Sequence, residues 1–464
     1  MARKPGTLTR RTLIATSVVG LGAGTVAVLA NNARPTKLPP PGPAGWRNWS
    51  GGQSCDPAAL AAPADEAALA ALVKTAKAPI RPVGAGHSFT PLVPTDGTIV
   101  SVDRLHGVAA HDDAAKTALI HAGTRLGEMS EALDALGQST EILPDINKQT
   151  LAGATATSTH GTGIAFGSLS SYVTSLRLVT ANGEAIECGP DKEAEIFNAA
   201  RVGLGALGVV TQIGLQNRAR LVVERNTWFE PIDQLIDRAP ELAKQHRHFE
   251  FYALPFTGMG LAISNDETIL PVAAVPPTRD TGGLEDLRDL RDWLAWSPAL
   301  RRWTSQMIIA QFGPEKLTAP AYQLLSTERP IRFNEMEYHI PRDQLGTCLR
   351  QVIKTLEDKF PAEFFPIEAR FIKEDDIWLS PFFGRPSCSI AVHVPNDEAY
   401  QPYFDAVEPI YHTVGGRPHW GKLHNLTAKE LAPLYPHWED FKRVRLALDP
   451  QGRFMTPYLQ RLLG

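Results

Sequence analysis

The segment that most constrains this chain is Ile80-Arg81-Pro82-Val83-Gly84-Ala85-Gly86-His87-Ser88-Phe89-Thr90-Pro91. Ile80 to Val83 reads as the end of a short buried strand. Two glycines then allow backbone angles and close approaches that a Cβ would forbid. Successive free N–H groups in such a turn form a concave anion site suited to a pyrophosphate. His87 and Ser88 set a nucleophilic imidazole and a hydroxyl at its rim. A Rossmann fingerprint would need a third glycine and an immediate helix. Thr90, Pro91 and Pro94 follow instead, and paired prolines oppose a helix. Read by itself, the segment also fits a plain glycine turn with a surface histidine.

A second run, Thr150-Leu-Ala-Gly-Ala-Thr-Ala-Thr-Ser-Thr-His160-Gly161-Thr162-Gly163, is almost all small residues. It cannot build a core alone, so another group must pack on it. A flat aromatic ligand is a good candidate, with hydroxyls offered by Thr157, Thr159 and Thr162; the plainer reading is a polar linker. Around these runs the pattern is regular. Asp65 caps a helix with apolar face Leu69, Leu72 and Val73, and Pro79 ends it. Leu126, Met129, Leu133 and Leu136 form a helical stripe closed by Gly137. Tyr172–Val179 and Glu184–Cys188 flank Asn182-Gly183, a hairpin signal. A helix over about 192–201 and the glycines 203, 205 and 208 lead to a strand over 209–215.

The length of 464 residues allows one to three domains, and a formal net charge of -4 with no basic patch makes nucleic acid an unsuitable partner. Four scattered cysteines show no metal spacing and leave disulfides open. At the N-terminus, Arg3, Lys4, Arg10 and Arg11 precede an uncharged stretch from Leu13 to Ala30. Thr9-Arg10-Arg11-Thr12-Leu13-Ile14 resembles a twin-arginine signal; a plain secretory signal or an uncleaved anchor are the alternatives. Residues 1–30 are therefore expected to be a signal segment, and the proline-rich residues 31–45 an extended tether. Export would follow, with membrane contact only through an uncleaved N-terminus.

Beyond Leu221 the pattern changes to strands mixed with helices. The charged helix Leu284–Trp296 is expected to be a solvated face. In Pro366-Ile367-Glu368-Ala369-Arg370-Phe371, strand periodicity puts Glu368 and Arg370 on one face. A surface salt bridge is the plain reading of that pair. Ile390-Ala391-Val392-His393-Val394 is another strand with one polar member, readable as a core histidine. Arg417-Pro418-His419-Trp420-Gly421-Lys422 clusters bases and an aromatic, readable as a basic turn.

Taken in order, Val-Gly-Ala-Gly-His-Ser-Phe at 83–89, Gly-Ala-Thr-Ala-Thr-Ser-Thr-His-Gly-Thr-Gly at 153–163 and Gly-Ala-Leu-Gly-Val-Val-Thr at 205–211 resemble the FAD-binding domain of the vanillyl-alcohol oxidase superfamily. Within it the chain is similar to the sugar 1,4-lactone oxidoreductases, from Trp46 nearly to the C-terminus. The resemblance implies an α+β fold. A two-subdomain FAD-binding domain would occupy 46–220 and an α+β substrate domain with an antiparallel sheet 221–464, residues 415–464 packing back toward the flavin. It further implies that Val83, Gly84, Ala85, Gly86, His87, Ser88 and Phe89 wrap the FAD pyrophosphate, with His87 able to bond covalently to the flavin. Gly153, Ala154, Thr157, Thr159, His160, Gly161, Thr162 and Gly163 would line the flavin side, and Val209 and Val210 the adenine end.

In these relatives and the similar alditol oxidases, a Glu-x-Arg pair, a strand histidine and a His-Trp-Gly-Lys segment meet above the flavin. Glu368, Arg370, His393 and Lys422 are thus the implied catalytic set, with no metal. The implied activity is oxidation of an aldono-1,4-lactone such as L-gulono- or D-arabinono-lactone, with oxygen or another acceptor reoxidising FAD. An alditol or other sugar oxidase is the nearest alternative. A flavin-binding carrier without turnover is the alternative from another class.

Overall fold

Amphipathic helices and alternating strands assemble into two layered halves that meet across a buried polar face. The computed structural model describes residues 35–272, 283–326 and 331–464. The basic and apolar residues 1–30 lie outside the described residues. Among those described, no helix is long and apolar enough to cross a membrane.

The first half has two main sheets, beside two short two-stranded ribbons (Trp46–Arg47 with Ser54–Cys55, and Gln138–Ser139 with Arg218–Ala219). Strands β1 (Ala59–Ala61), β2 (Ile80–Val83) and β3 (Thr98–Ser101) run parallel in the order β1-β3-β2. Helix α1 (Glu66–Thr75) begins where Asp65 accepts the Ala68 N–H at 2.8 Å, and buries Leu69 and Val73. The second sheet is antiparallel and joins β4 (Val108–Asp112), β5 (Thr117–His121), β6 (Val173–Val179), β7 (Ala185–Cys188) and β8 (Val209–Gln216) in the order β7-β6-β8-β5-β4. The Asn182-Gly183 pair does turn β6 into β7, with Gly183 at φ 76°. Helix α2 (Leu126–Ala135) carries the expected aliphatic stripe. The small-residue run does not form a linker: Thr150 caps a six-residue helix, α3 (Leu151–Ala156), by accepting the Gly153 N–H. Small side chains let α3 pack closely against β8.

The second half is built on one eight-stranded antiparallel sheet. Its strands are β9 (Val222–Pro231), β10 (His248–Leu254), β11 (Met259–Glu267), β12 (Glu315–Pro320), β13 (Phe333–Pro341), β14 (Ile367–Ile372), β15 (Ser387–Pro395) and β16 (Arg417–Pro418), ordered β12-β9-β11-β10-β14-β15-β13-β16. Directly opposed residues share a face. The register pairs Glu335 with His393, Glu337 with Ala391, His339 with Ser389, and Arg370 with Ser389. One face of the central strands is therefore polar. The other carries Met336, Tyr338, Ile340, Ala369, Phe371, Ile390 and Val392, all buried in the main core with residues of helices α4 (Leu345–Lys359) and α5 (Gln401–Thr413).

Two charged segments behave differently from their composition. The described part of the proline-rich tether is strapped down. Leu38 donates its N–H to Asp397 O at 2.8 Å, and Lys37 Nζ lies 2.8 Å from the fully buried Glu398. The helix Gly283–Leu294 is not wholly solvated. It buries Arg291, which donates to both Glu398 oxygens at 2.9 and 3.0 Å, because a buried carboxylate requires a local cation.

Arg81 knots the first half to the C-terminal tail. It is fully buried, and its guanidinium donates to Leu92 O at 2.7 Å, Gly205 O at 2.8 Å, Leu204 O at 2.7 Å and Phe454 O at 2.9 Å. Burial pulls its pKa down to about 9. The tail reaches it through Asp449, whose carboxylate accepts the N–H groups of Arg453 and Phe454 at 2.8 Å each. Replacing Arg81 by Met strands four buried carbonyls. Thermal or urea unfolding of Arg81→Met is expected to register a loss of about 3 kcal/mol or more; an unfolding midpoint at the wild-type value would refute the role of the knot.

Candidate active site

The glycine loop lies where the two halves meet. Phe89 donates its N–H to Gly421 O at 2.7 Å, and Thr90 Oγ1 donates to Trp420 O at 2.9 Å. The loop and the His419-Trp420-Gly421-Lys422 segment are thus bonded together although more than 300 residues separate them in the chain. A cleft of about 1210 Å³, its open mouth included, runs beside them. Its walls include Val83 to Ser88, Thr150, Gly153, Thr157, Thr159, the loop Gly203–Gly205, Val210, His419, Gly421 and Lys422.

These walls fit FAD. No carboxylate lines the cleft, while Lys422 does, which suits a diphosphate. A Cβ on Gly84 would overlap the Thr150 hydroxyl, so the loop can lie against the α3 cap only with glycine there. Gly86 takes φ 65°, a left-handed conformation that bulkier residues avoid. Gly153 faces open space apart from Thr150 Oγ1 at 3.1 Å.

His87 stacks on Trp49 with ring centroids 5.0 Å apart. Burial, assisted by Lys422, Arg125 and Lys148, lowers its pKa to about 4. The imidazole is therefore neutral at physiological pH, the state in which it is a nucleophile.

Several residues expected at the cofactor lie elsewhere. Phe89 is buried against Phe333, with centroids 5.8 Å apart, and turns its side chain into an aromatic cluster. Val209 is fully buried opposite Val179, so the cleft wall at β8 is its neighbour Val210. Ala154 packs in the core. His160, Gly161, Thr162 and Gly163 fasten the first half to the polar face of the large sheet. Thr162 Oγ1 bonds to Phe249 O, Gly163 donates its N–H to Phe371 O at 2.7 Å, and His160 Nε2 lies 3.0 Å from Glu337 Oε1.

On that face the four implied catalytic residues form one network with two carboxylates that the sequence reading passed over. Lys422 pairs with Glu335 and lies 4.9 Å from the Phe89 ring centroid. His393 Nε2 is 3.5 Å from the other Glu335 oxygen. Arg370 Nη2 reaches Glu368 at 2.8 Å and Glu337 at 3.3 Å. The Tyr252 hydroxyl lies 2.7 Å from a Glu368 oxygen and 3.0 Å from an Asp145 oxygen, with one proton to share between them. Of the four, only Lys422 lines the cleft itself. Glu335 and Glu337 carried a signal: a Glu-x-Glu-x-His alternation, interleaved with Met336, Tyr338 and Ile340, places all three polar residues on one face.

The charges sort by neighbour. Burial pushes the Glu335 carboxyl up, but Lys422 and His393 outweigh it and hold it at about 2. Glu337 is likewise held well below the usual range, with His160 and Arg370 overcoming burial. For Glu368 the balance reverses. Burial, opposed by Arg370 and assisted by Asp145 and Glu250, drives it well above the ordinary carboxylate range. Its proton is therefore held more tightly than that of an ordinary carboxyl. Ring nitrogens and a carboxylate oxygen of His160, Glu337 and His339 lie within 4.8 Å of one another. Arg370 and Ser389 already donate to Glu337 Oε1, while neither ring nitrogen of His339 has a hydrogen-bond partner among the described residues.

Two layered halves and a glycine-lined cleft free of carboxylates, with Lys422 in its wall, are the features of an FAD-dependent oxidoreductase. A family model described as "FAD binding domain" matches residues 57–189, and one described as "D-arabinono-1,4-lactone oxidase" matches residues 213–462. The chain belongs to the D-arabinono-1,4-lactone oxidase family. It is 36% identical over 430 residues to the L-gulono-1,4-lactone dehydrogenase of Mycobacterium tuberculosis, covering 90% of this chain and 99% of that one. It is 29% identical over 434 residues to the L-gulonolactone oxidase of Bos taurus, covering 90% and 98%. A cholesterol oxidase structure from Brevibacterium sterolicum shares the fold, with TM-score 0.75 at 16% identity, covering 90% of this chain and 96% of that one.

Gly84→Ala is expected to weaken FAD binding by about 100-fold, the equivalent of about 3 kcal/mol. The flavin-to-protein absorbance ratio of the purified variant measures it; a full complement of flavin would disprove the close approach.

Proposed function

We propose that this protein oxidises a secondary alcohol of a sugar-acid 1,4-lactone, of the L-gulono- or D-arabinono- type, using FAD. The observation that carries the reading is the convergence of Lys422 and Arg370, drawn from separate segments, on the buried polar face that adjoins the FAD cleft. Kinship to a lactone dehydrogenase and a lactone oxidase supports the substrate class. When bound, FAD supplies the hydride acceptor that no side chain can provide.

The chain's own residues deal with the proton and the charge. A substrate hydroxyl is a weak acid, and negative charge grows on its oxygen as the proton leaves. Lys422 and Arg370 are fixed cations in a water-poor setting, where each stabilises that charge more strongly than it could in water. Glu335 aims Lys422 and holds His393 beside it. His393 accepts or relays the substrate proton. Glu368 holds Arg370 in place and accepts from a substrate hydroxyl.

The test starts from purified yellow protein. Colour that stays with the protein after acid precipitation would mark a covalent link, for which His87 is the residue. Anaerobic addition of L-gulono- or D-arabinono-1,4-lactone is expected to bleach the flavin, and oxygen or a dye acceptor then restores it. Lys422→Ala and Arg370→Ala are each expected to slow bleaching by about 10²–10³-fold while keeping FAD. Bleaching of either variant at the wild-type rate sinks the assignment. Bleaching by open polyols and not by lactones would make the protein an alditol oxidase.

The Thr9–Ile14 motif and the uncharged stretch behind it support export of the folded flavoprotein by the twin-arginine route. Replacing Arg10 and Arg11 by Lys is expected to leave the enzyme in the cytoplasm on cell fractionation; an unchanged distribution rules that route out.

A further inference from the structure

We propose that Glu337, acting with Ser389 and His160, is the positioning residue for Arg370: it anchors one end of the guanidinium and leaves Nε free to take a substrate oxygen. The inference rests on the lactone-oxidation reading and names the residues that set the aim of one of its two cations.

A single carboxylate oxygen gathers the donors. Glu337 Oε1 lies 3.0 Å from His160 Nε2 and 3.3 Å from Arg370 Nη2, and accepts from Ser389 Oγ. The donors come from three places: the loop after α3 in the FAD-binding half, β14 and β15. His160 Nδ1 is itself fixed, 2.8 Å from Gly161 O. Glu337 is therefore the link through which the FAD-binding half holds Arg370. All four residues are buried, so water does not compete for these bonds.

The guanidinium is gripped unevenly. Nη2 has two carboxyl partners, Glu368 at 2.8 Å and Glu337 at 3.3 Å. Nη1 comes no closer than 4.0 Å to Asp145 Oδ1. Nε is shielded from solvent and has no hydrogen-bond partner among the described residues. A buried N–H without a partner is costly, and a lactone oxygen would satisfy it. Glu368 is the weaker counter-ion of the two carboxyls. It already accepts from Tyr252, and one of its oxygens lies within 4.8 Å of oxygens of Asp145 and Glu250, a like-charge neighbourhood that Glu337 lacks at its shared oxygen. Glu337 meets only donors at its shared oxygen.

The test uses holoenzyme carrying Glu337→Gln, Glu337→Asp or Ser389→Ala. Flavin absorbance gives FAD content, and anaerobic bleaching against lactone concentration gives the half-saturation and the limiting rate. FAD content is expected to match wild type in all three. Half-saturation is expected to rise about tenfold or more in Glu337→Gln and about threefold in Ser389→Ala, and the limiting rate to fall alongside, because Arg370 both holds the substrate oxygen and stabilises its charge. Asp at position 337 should recover part of what Gln loses. Wild-type half-saturation in Glu337→Gln, or activity lost only in step with FAD, overturns the proposal. Should Glu337→Gln fail to accumulate as holoenzyme, Ser389→Ala decides alone, and an unchanged half-saturation there overturns it. A wild-type flavin that no 1,4-lactone bleaches defeats the functional reading instead. The same comparison then runs on whichever polyol does bleach it.

Discussion

Charge buried between two layers has to be neutralised where it lies, and that requirement shapes this molecule. Desolvating a carboxylate or a guanidinium is expensive unless a partner sits within reach. The large sheet places Glu335, Glu337, Glu368 and Arg370 on one buried face. The remaining partners come from elsewhere: Lys422 from the loop after β16 and the His160 ring from the opposite half. Separating the halves would take the His160 hydrogen bond from the buried Glu337 carboxylate. The same contact therefore serves cohesion and the site.

The polar face also explains the division of labour between carboxylates. Three acids beside two cations do not titrate alike. Glu335 and Glu337, each beside a cation or a histidine, are held low, and Glu368, buried and crowded by Asp145 and Glu250, is driven up. The cations remain free on the side that matters: Lys422 lines the cleft, and Arg370 keeps Nε unpaired.

The site residues were unequally legible. Glu-x-Arg, the strand histidine and His-Trp-Gly-Lys stand out because polar residues interrupt apolar strands or cluster in a short loop. Glu335 and Glu337 sit in an equally apolar strand, yet their role depends on which strand lies beside which, and β13 is placed next to β15 by tertiary pairing alone. Arg81 stands in the leading motif, but its partners at Leu92, Leu204, Gly205 and Phe454 are spread over most of the chain. No local pattern announces that arrangement. The reverse error is as instructive. His160 and Thr162 belong to a small-residue run that suggests a ligand wall, and they instead clasp the other half.

What local chemistry settled is the set of elements whose causes are short-ranged. Asp65 caps a helix, Asn182-Gly183 turns a hairpin, Gly84 and Gly86 permit a tight loop, and alternation puts Glu368 beside Arg370 on a strand face. The sequence by itself therefore determined the helices, the strands, the glycine loop and the residue types available for chemistry. Only the tertiary structure decided which of them meet. Sheet order is set by long-range burial and hydrogen bonding, and it alone carries Lys422 to Glu335, Glu337 to Arg370, and the glycine loop to Gly421.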